Sequence, residues 1–193
     1  MNHLARKVAM VTGAGRGIRV ACAGVCARGR VCGACRARRN HCKRNGRAHC
    51  FRSRRGAHVR GPDRRDAKPV KETLQQTEAA FGPLDVLVNN AGINIFCDPL
   101  TMTDDWRRCF AVDLDGVWNG CRAVLTGMVG RQKGSIVNIA STHGFKIIPG
   151  CFPYPVAKHG VIGLTCTLGI ELRADQCARE CHRAGLYRNA VDA

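Results

Sequence analysis

Short apolar runs alternate along this chain with longer segments of helical composition. The runs contain many β-branched residues and are apolar throughout, which is typical of strands buried on both faces. The strand candidates are residues 7–11, 84–88 and 135–140, and the helix candidates are residues 69–81, 103–128 and 156–172. Because helices separate the strands, the sequence predicts an α/β fold with a doubly wound parallel sheet in three layers.

Polar and glycine-containing motifs accompany the ends of these strands. A Gly-rich turn spans residues 12–18, Asn-Asn-Ala-Gly spans residues 89–92, and Ser141 follows the third run. Ligands of such sheets bind beyond the carboxyl ends of the strands. A Gly-rich turn before a helix lets the backbone approach a phosphate, although such a turn by itself is a weak signal.

Tyr154 and Lys158 lie four residues apart and therefore share one face of a helix, in whose first turn Pro155 is well tolerated. An ammonium beside a phenol favours the phenolate, so we expect Lys158 to lower the pKa of Tyr154 toward neutral pH and create a general acid/base. Ser141 could hydrogen-bond the substrate oxygen. A Tyr-x-x-x-Lys pair alone is more often an exposed helix pair, but its place after Ser141 and two Gly-containing turns favours catalysis.

The combination of these motifs resembles the short-chain dehydrogenase/reductase family. It consists of Thr12-Gly13-x-x-x-Gly17-Ile18, Asn89-Asn90-Ala91-Gly92, Ser141 and Tyr154-x-x-x-Lys158, and it covers about residues 4–18 and 67–172. The resemblance implies a Rossmann-type fold, NAD or NADP as the cofactor, and hydride transfer with a small alcohol or carbonyl substrate. The family pattern has another glycine where this chain has Arg19.

The resemblance also implies roles for individual residues. Tyr154 would be the acid/base, Ser141 would polarise the substrate, and Lys158 would lower the pKa of Tyr154 and bind the nicotinamide ribose. Asp113 stands where the family has a catalytic Asn that holds a proton-relay water, and a carboxylate differs from Asn in charge and donor capacity. The expected cofactor contacts are Thr12, Gly13, Gly15, Arg16, Gly17, Ile18, Asn90, Ala91, Gly92, Tyr154 and Lys158.

Residues 19–66 differ from the rest of the chain in composition. They contain fourteen Arg, one Lys and six of the thirteen Cys, and they account for most of the formal net charge of +17. No second strand and no residue that selects between NAD and NADP is recognisable there, so we expect the fold to be incomplete in this region. The tail, residues 173–193, also departs from the family pattern.

Three interpretations of the Arg/Cys-rich segment compete. Cys32 and Cys35 have the Cys-x-x-Cys spacing of zinc sites, with Cys and His residues downstream, but a second well-spaced pair is missing. The arginines could bind nucleic-acid phosphates, although Phe51 is the only aromatic residue of the segment. A non-catalytic zinc- or nucleic-acid-binding protein is therefore the alternative function, while the main interpretation expects no metal and no specific nucleic acid.

The third interpretation is a frameshift. Moved by one nucleotide within permitted codons, residues 24–36 read A-F-A-R-E-G-A-S-V-V-L-A, which resembles the family's helix and second strand. The tail from Gln176, moved the same way, reads N-V-R-V-N-A-I-A-P-G-Y-I-E-T-Q-L-T, which resembles a later strand and a Pro-Gly cofactor loop. We therefore interpret the chain as a frameshifted, C-terminally truncated member of the family, with low stability and impaired turnover.

Length and hydropathy indicate one domain over residues 1–193. No apolar stretch approaches the roughly 18 residues that a membrane-spanning helix needs, and the first thirty residues lack the pattern of a secretory signal. We therefore expect a cytoplasmic protein. Members of the family are usually homo-oligomers, but the elements that form their interfaces are expected to be missing here.

Overall fold

A computed structural model describes residues 7–13, 30–34, 67–101 and 104–172. The described strands form one parallel sheet in the order β2-β1-β3-β4. Their bounds are β1 (Val8–Thr12), β2 (Arg30–Ala34), β3 (Val86–Asn89) and β4 (Ser135–Asn138). The chain thus leaves β1 on one side to form β2 and returns to its other side with β3, which is the strand-order reversal of a doubly wound sheet.

Four α-helices are described between and after these strands. They are α1 (Ala67–Phe81), α2 (Asp105–Asp113), α3 (Asp115–Gly130) and α4 (Tyr154–Glu171). A short 3-10 helix, Thr142–Gly144, follows β4. No helix in the described ranges is both long and apolar enough to cross a membrane.

The main core lies between the sheet and three of the helices. Met10, Leu87 and Ile136 are register partners on neighbouring strands, so their side chains point to the same face of the sheet. Apolar residues of α1, α3 and α4 complete the cluster: Leu74, Val117, Cys121, Val124, Met128 and Val161. These helices therefore cover one face, and the third layer of the expected architecture lies outside the described residues.

The structure confirms the predicted alternation and differs from it at one strand. Sequence analysis recognised no second strand in residues 19–66, yet Arg30–Ala34 forms β2 and pairs along its whole length with β1. Local composition hid this strand, because Arg30 and Gly33 carry little strand signal. Pairing with the strongly apolar β1 supplies the backbone hydrogen bonds that the local sequence does not suggest.

Candidate active site

The carboxyl ends of β1 and β3 meet at the point where the strand order reverses. Thr12 ends β1, and its Oγ1 accepts hydrogen bonds from the backbone N–H groups of Asn90 (3.0 Å) and Ala91 (3.3 Å). The Asn90 Nδ2 donates in turn to the Thr12 carbonyl at 2.9 Å. The two motifs predicted to bind a cofactor are therefore tied directly to each other.

Gly13 is required at this junction for two reasons. Its φ of +68° is a conformation that residues with a side chain rarely adopt. A Cβ at this position would also lie 2.6 Å from the Cα of Ala91. The glycine of the first turn therefore lets the second turn approach it.

Helix α4 presents Tyr154 and Lys158 to the same region. Tyr154 is the first residue of the helix, and Pro155 occupies the first turn, as the sequence predicted. Ser141 precedes the 3-10 helix, accepts a hydrogen bond from the His143 N–H at 3.2 Å, and lies close enough to Tyr154 to influence its ionisation. The structure thus brings Ser141, Tyr154 and Lys158 together.

Lys158 is 4% exposed and Asp113 is fully buried, and the two form an ion pair in which Nζ lies 3.3 Å from Oδ1. The ammonium also donates to the carbonyl of Ile139 at 3.3 Å. Nζ lies 5.5 Å from the centre of the Tyr154 ring. The charge nearest to Lys158 is therefore the Asp113 carboxylate.

The pKa of Tyr154 is raised above its ordinary value, opposite to the direction expected from the sequence. Burial is the main cause, and the negative charge of Asp113 adds to it, whereas the nearby Ser141 hydroxyl acts in the other direction. The expectation was wrong in direction because it considered the Lys158 charge without the burial of the phenol and without the Asp113 carboxylate. Burial likewise raises the pKa of Asp113, against the Lys158 charge and the Ile93 N–H.

Two aromatic rings contact the Tyr154 ring. Phe96 meets the Tyr154 ring edge to face with 5.8 Å between centroids, and His143 does so at 5.9 Å. The Phe96 segment is held there because Cys97 donates its backbone N–H to the carbonyl of Phe152 at 2.8 Å. Phe96 is half exposed, so an apolar surface borders the tyrosine.

Sequence reasoning identified most of the polar groups in this site. The structure describes Thr12, Gly13, Asn90, Ala91, Gly92, Asp113, Ser141, Tyr154 and Lys158 at the carboxyl end of the sheet or on the elements next to it. The remaining predicted cofactor contacts, Gly15, Arg16, Gly17 and Ile18, lie outside the described residues, as does most of the segment considered for zinc or nucleic acid. No cluster of potential metal ligands occurs in the described part of the chain.

Sequence analysis did not predict the contributions of Phe96 and Asn89 to the site. Asn89 is 1% exposed, and its Nδ2 donates to Asn138 Oδ1 at 2.9 Å, which links the ends of β3 and β4. An asparagine that ends an apolar strand is a signal for such a buried polar link, and the doubled Asn of the motif could have indicated it. Phe96 has no local signal, because its role depends on the contact with α4.

Comparison with known proteins places these features in one family. An acetoacetyl-CoA reductase from Rhizobium meliloti is 36% identical over 167 residues, covering 86% of this chain and 67% of that protein. The aligned segments cover 43% to 49% of three further curated relatives. The chain thus spans about half the length of these relatives.

Solved structures agree with the sequence matches. The apo form of LigO from Sphingobium sp. strain SYK-6 superposes with a TM-score of 0.76 at 31% identity, covering 88% of this chain and 64% of that chain. A gluconate 5-dehydrogenase from Burkholderia cenocepacia J2315, in complex with NADP and tartrate, gives a TM-score of 0.74 at 29% identity and covers 91% of this chain and 69% of that one. The family profile described as short chain dehydrogenase matches residues 7–186. The strand-order reversal and the proximity of Ser141, Tyr154 and Lys158 agree with this match. The chain therefore belongs to the short-chain dehydrogenase family.

Proposed function

We propose that this chain carries the active site of an NAD(P)-dependent oxidoreductase that interconverts an alcohol and a carbonyl compound. The single observation that carries the proposal is the meeting of Ser141, Tyr154 and Lys158 at the carboxyl end of a doubly wound sheet. The family match and the named reductases among the relatives support it.

The described residues fit the nicotinamide half of such a cofactor. The strand-order reversal lies between β1 and β3, where doubly wound sheets bind nucleotides. Gly13 and Asn90 are half-buried there, and Gly92 is exposed beside the Asp113 and Lys158 pair. The NADP bound to the gluconate 5-dehydrogenase supports the assignment of NAD or NADP. When bound, the reduced cofactor supplies a hydride to the carbonyl carbon.

The chain's own residues supply the proton chemistry. The Tyr154 hydroxyl donates its proton to the substrate oxygen during reduction and takes it back, as phenolate, during oxidation. The Ser141 hydroxyl, which lies near Tyr154, holds the same oxygen and orients it toward the phenol. Lys158, fixed by Asp113 and Ile139, binds the ribose that lies next to the nicotinamide.

The substrate side of the site is apolar. Phe96 exposes apolar surface beside Tyr154, and Ile147 and Ile148 expose apolar side chains in the segment between β4 and α4. Phe152, just before α4, packs tilted against Trp106 with 5.6 Å between ring centroids. Removing such surface from water favours binding by about 25 cal/mol per Å². A small substrate whose carbonyl carries an apolar group fits this surface better than a charged one.

Cofactor binding and turnover test the proposal together. The melting temperature of the full chain is measured with and without millimolar NAD or NADP, since a ligand at a hundred times its Kd stabilises the fold by about 2.7 kcal/mol. Turnover is then followed through the absorbance of the reduced cofactor with an apolar ketone.

Tyr154→Phe is the matched variant, because it keeps the ring but removes the transferred proton. We expect it to keep the cofactor-induced rise in melting temperature and to lose turnover about 100-fold or more. A chain whose melting neither cofactor changes, or a Tyr154→Phe variant as active as the parent, would contradict the proposal. The cytoplasmic location remains a prediction.

A further inference from the structure

Asp113 and Lys158 form the most deeply buried ion pair in the described part of the chain. Asp113, the last residue of α2, has no exposed surface, and Lys158 on α4 is 4% exposed. Removing one partner of a buried pair leaves an uncompensated charge, which costs far more than the loss of a surface ion pair. Helices α2 and α4 therefore depend on each other through these two residues, which lie 45 positions apart in the sequence.

Several described groups lie close to the Asp113 carboxylate. Ile93 donates its backbone N–H to both oxygens, at 3.2 and 3.3 Å, and the Cys109 thiol lies 3.9 Å from Oδ2. The neighbouring Gly92 also approaches it, because a Cβ there would lie 2.6 Å from Oδ1. The contacts with Ile93 and Cys109 help to hold the carboxylate beside Lys158.

The Lys158 ammonium therefore contacts two acceptors, and neither of them belongs to Tyr154. It contacts Asp113 Oδ1 and the Ile139 carbonyl, each at 3.3 Å. The groups that face the tyrosine are Ser141, His143, Phe96, Cys109 and the pair itself, among the residues that the structure describes. A lysine whose charge is balanced at 3.3 Å has a weaker electrostatic effect on a phenol beyond it.

We propose that Asp113 is a positioning residue that holds Lys158 in a direct ion pair and balances its charge, so that the site keeps the Tyr154 hydroxyl protonated at neutral pH and works in the direction of carbonyl reduction. The inference rests on the proposed role of Tyr154 as the proton donor. In reduction the carbonyl carbon gains a hydride from the reduced nicotinamide, its oxygen gains the Tyr154 proton, and the oxidised cofactor and an alcohol are the products. Oxidation of the alcohol needs the phenolate and therefore a higher pH.

The ionisation of Tyr154 can be measured without cofactor or turnover. The chain contains two tyrosines, Tyr154 and Tyr187, so a Tyr187→Phe background leaves Tyr154 as the sole source of the phenolate absorbance band. Titration of this full-length chain from neutral pH upward gives the pKa of Tyr154 directly. We expect a value above the ordinary one of about 10, and a value at or below it would overturn the proposal without any further variant.

Asp113→Asn then isolates the carboxylate charge. The amide keeps the size of the side chain and leaves the Lys158 ammonium unbalanced, so the pKa of Tyr154 should fall by about one unit or more. Asp115→Asn is the matched control, because it removes an exposed carboxylate charge at the start of α3 and leaves the Asp113–Lys158 pair intact, so it should leave the pKa of Tyr154 unchanged. An unchanged pKa in Asp113→Asn would overturn the proposal.

Lys158→Met separates an effect through the lysine from a direct effect of Asp113 on the tyrosine. Without the ammonium no lysine charge remains for Asp113 to balance, so adding Asp113→Asn should change the pKa of Tyr154 much less than in the parent. Equal shifts in the two backgrounds would mean that Asp113 acts directly, against the proposal. Because these titrations need no cofactor, a chain without turnover would contradict the proposed function and leave this test intact.

Discussion

Asp85 lies just before β3, at the end of the sheet opposite to the site, and joins three strands there. Its carboxylate accepts the Val8 N–H at 2.9 Å and pairs with Lys133 at 3.3 Å and Lys7 at 3.8 Å. Burial opposes ionisation, but the Val8 hydrogen bond and the two lysines outweigh it, so the pKa of Asp85 is lowered. A lowered pKa stabilises the fold fully above the unfolded value of about 3.9 and progressively less as the pH falls through the folded value.

Asp85→Asn should therefore lower the free energy of unfolding by about 1 kcal/mol at pH 7. The difference from the parent should shrink below roughly pH 4, where the parent carboxylate also takes up protons. Urea denaturation at both pH values measures it, with Glu72→Gln on the exposed face of α1 as the control for a lost negative charge. A deficit that stays constant down to pH 3 would show that the charge of Asp85 is unimportant.

Cys109 is a thiol that the fold makes unreactive. It is fully buried beside Asp113, and burial raises the pKa of the Cys109 thiol to about 12, with the nearby carboxylate adding to the effect. The thiolate is the nucleophile, so alkylation of the folded chain at pH 8 should spare Cys109 and modify the partly exposed Cys151. Peptide mapping by mass spectrometry checks this result. Equal modification of the two cysteines under native conditions would contradict the placement of Cys109.

At the scale of elements, the junction of β1 with the Asn90 turn depends on Gly13. Alanine there must adopt a positive φ, which costs roughly 1 kcal/mol, and its Cβ would also collide with the backbone of Ala91. Gly82 is the matched control, because its φ of +92° is equally restrictive but nothing lies within 4 Å of its Cβ position.

Gly13→Ala should therefore destabilise the chain by more than Gly82→Ala, and the excess measures the close approach of the two turns. Comparing the free energies of unfolding from urea denaturation gives this excess. Gly13→Ala should also weaken cofactor binding under the proposed function, since the Asn90 turn must move away. Equal destabilisation by the two variants would mean that the Ala91 backbone relaxes freely.

The sequence predicted elements well where their signal is local. The strand before the Asn90 turn and the helix that begins at Tyr154 lie within about two residues of their expected bounds, because apolar runs and Pro155 carry that information in neighbouring positions. The motif Tyr154-x-x-x-Lys158 likewise fixed both residues on one helix. The Asp113 ion pair and its effect on Tyr154 were beyond such reasoning, because a charge partner 45 positions away has no local pattern.

At the scale of the whole molecule, β2 is the part of the Arg/Cys-rich segment that the structure describes, and it pairs with β1 of the sheet. The frame-shifted reading places Ala-Ser-Val-Val-Leu at positions 30–34, which are the positions that form β2. The frameshift hypothesis derives this segment from the family's second strand, and it stays a prediction that the formation of β2 does not test. Val and Leu also have a higher strand propensity than the Gly33 and Ala34 they would replace.

Replacing residues 30–34 with Ala-Ser-Val-Val-Leu should therefore stabilise the chain. The replacement removes one arginine and adds apolar residues to a strand that pairs with β1 over five positions. A gain of about 1 kcal/mol corresponds to a rise in melting temperature of roughly 2–4 °C for a chain of this size.

Replacing residues 24–29 with Ala-Phe-Ala-Arg-Glu-Gly is the matched control, because it restores the shifted reading without changing β2. The hypothesis would be overturned if the strand replacement left the melting temperature unchanged or lower and if resequencing found the codons of the Arg/Cys-rich segment intact. That segment would then be a genuine feature of the protein.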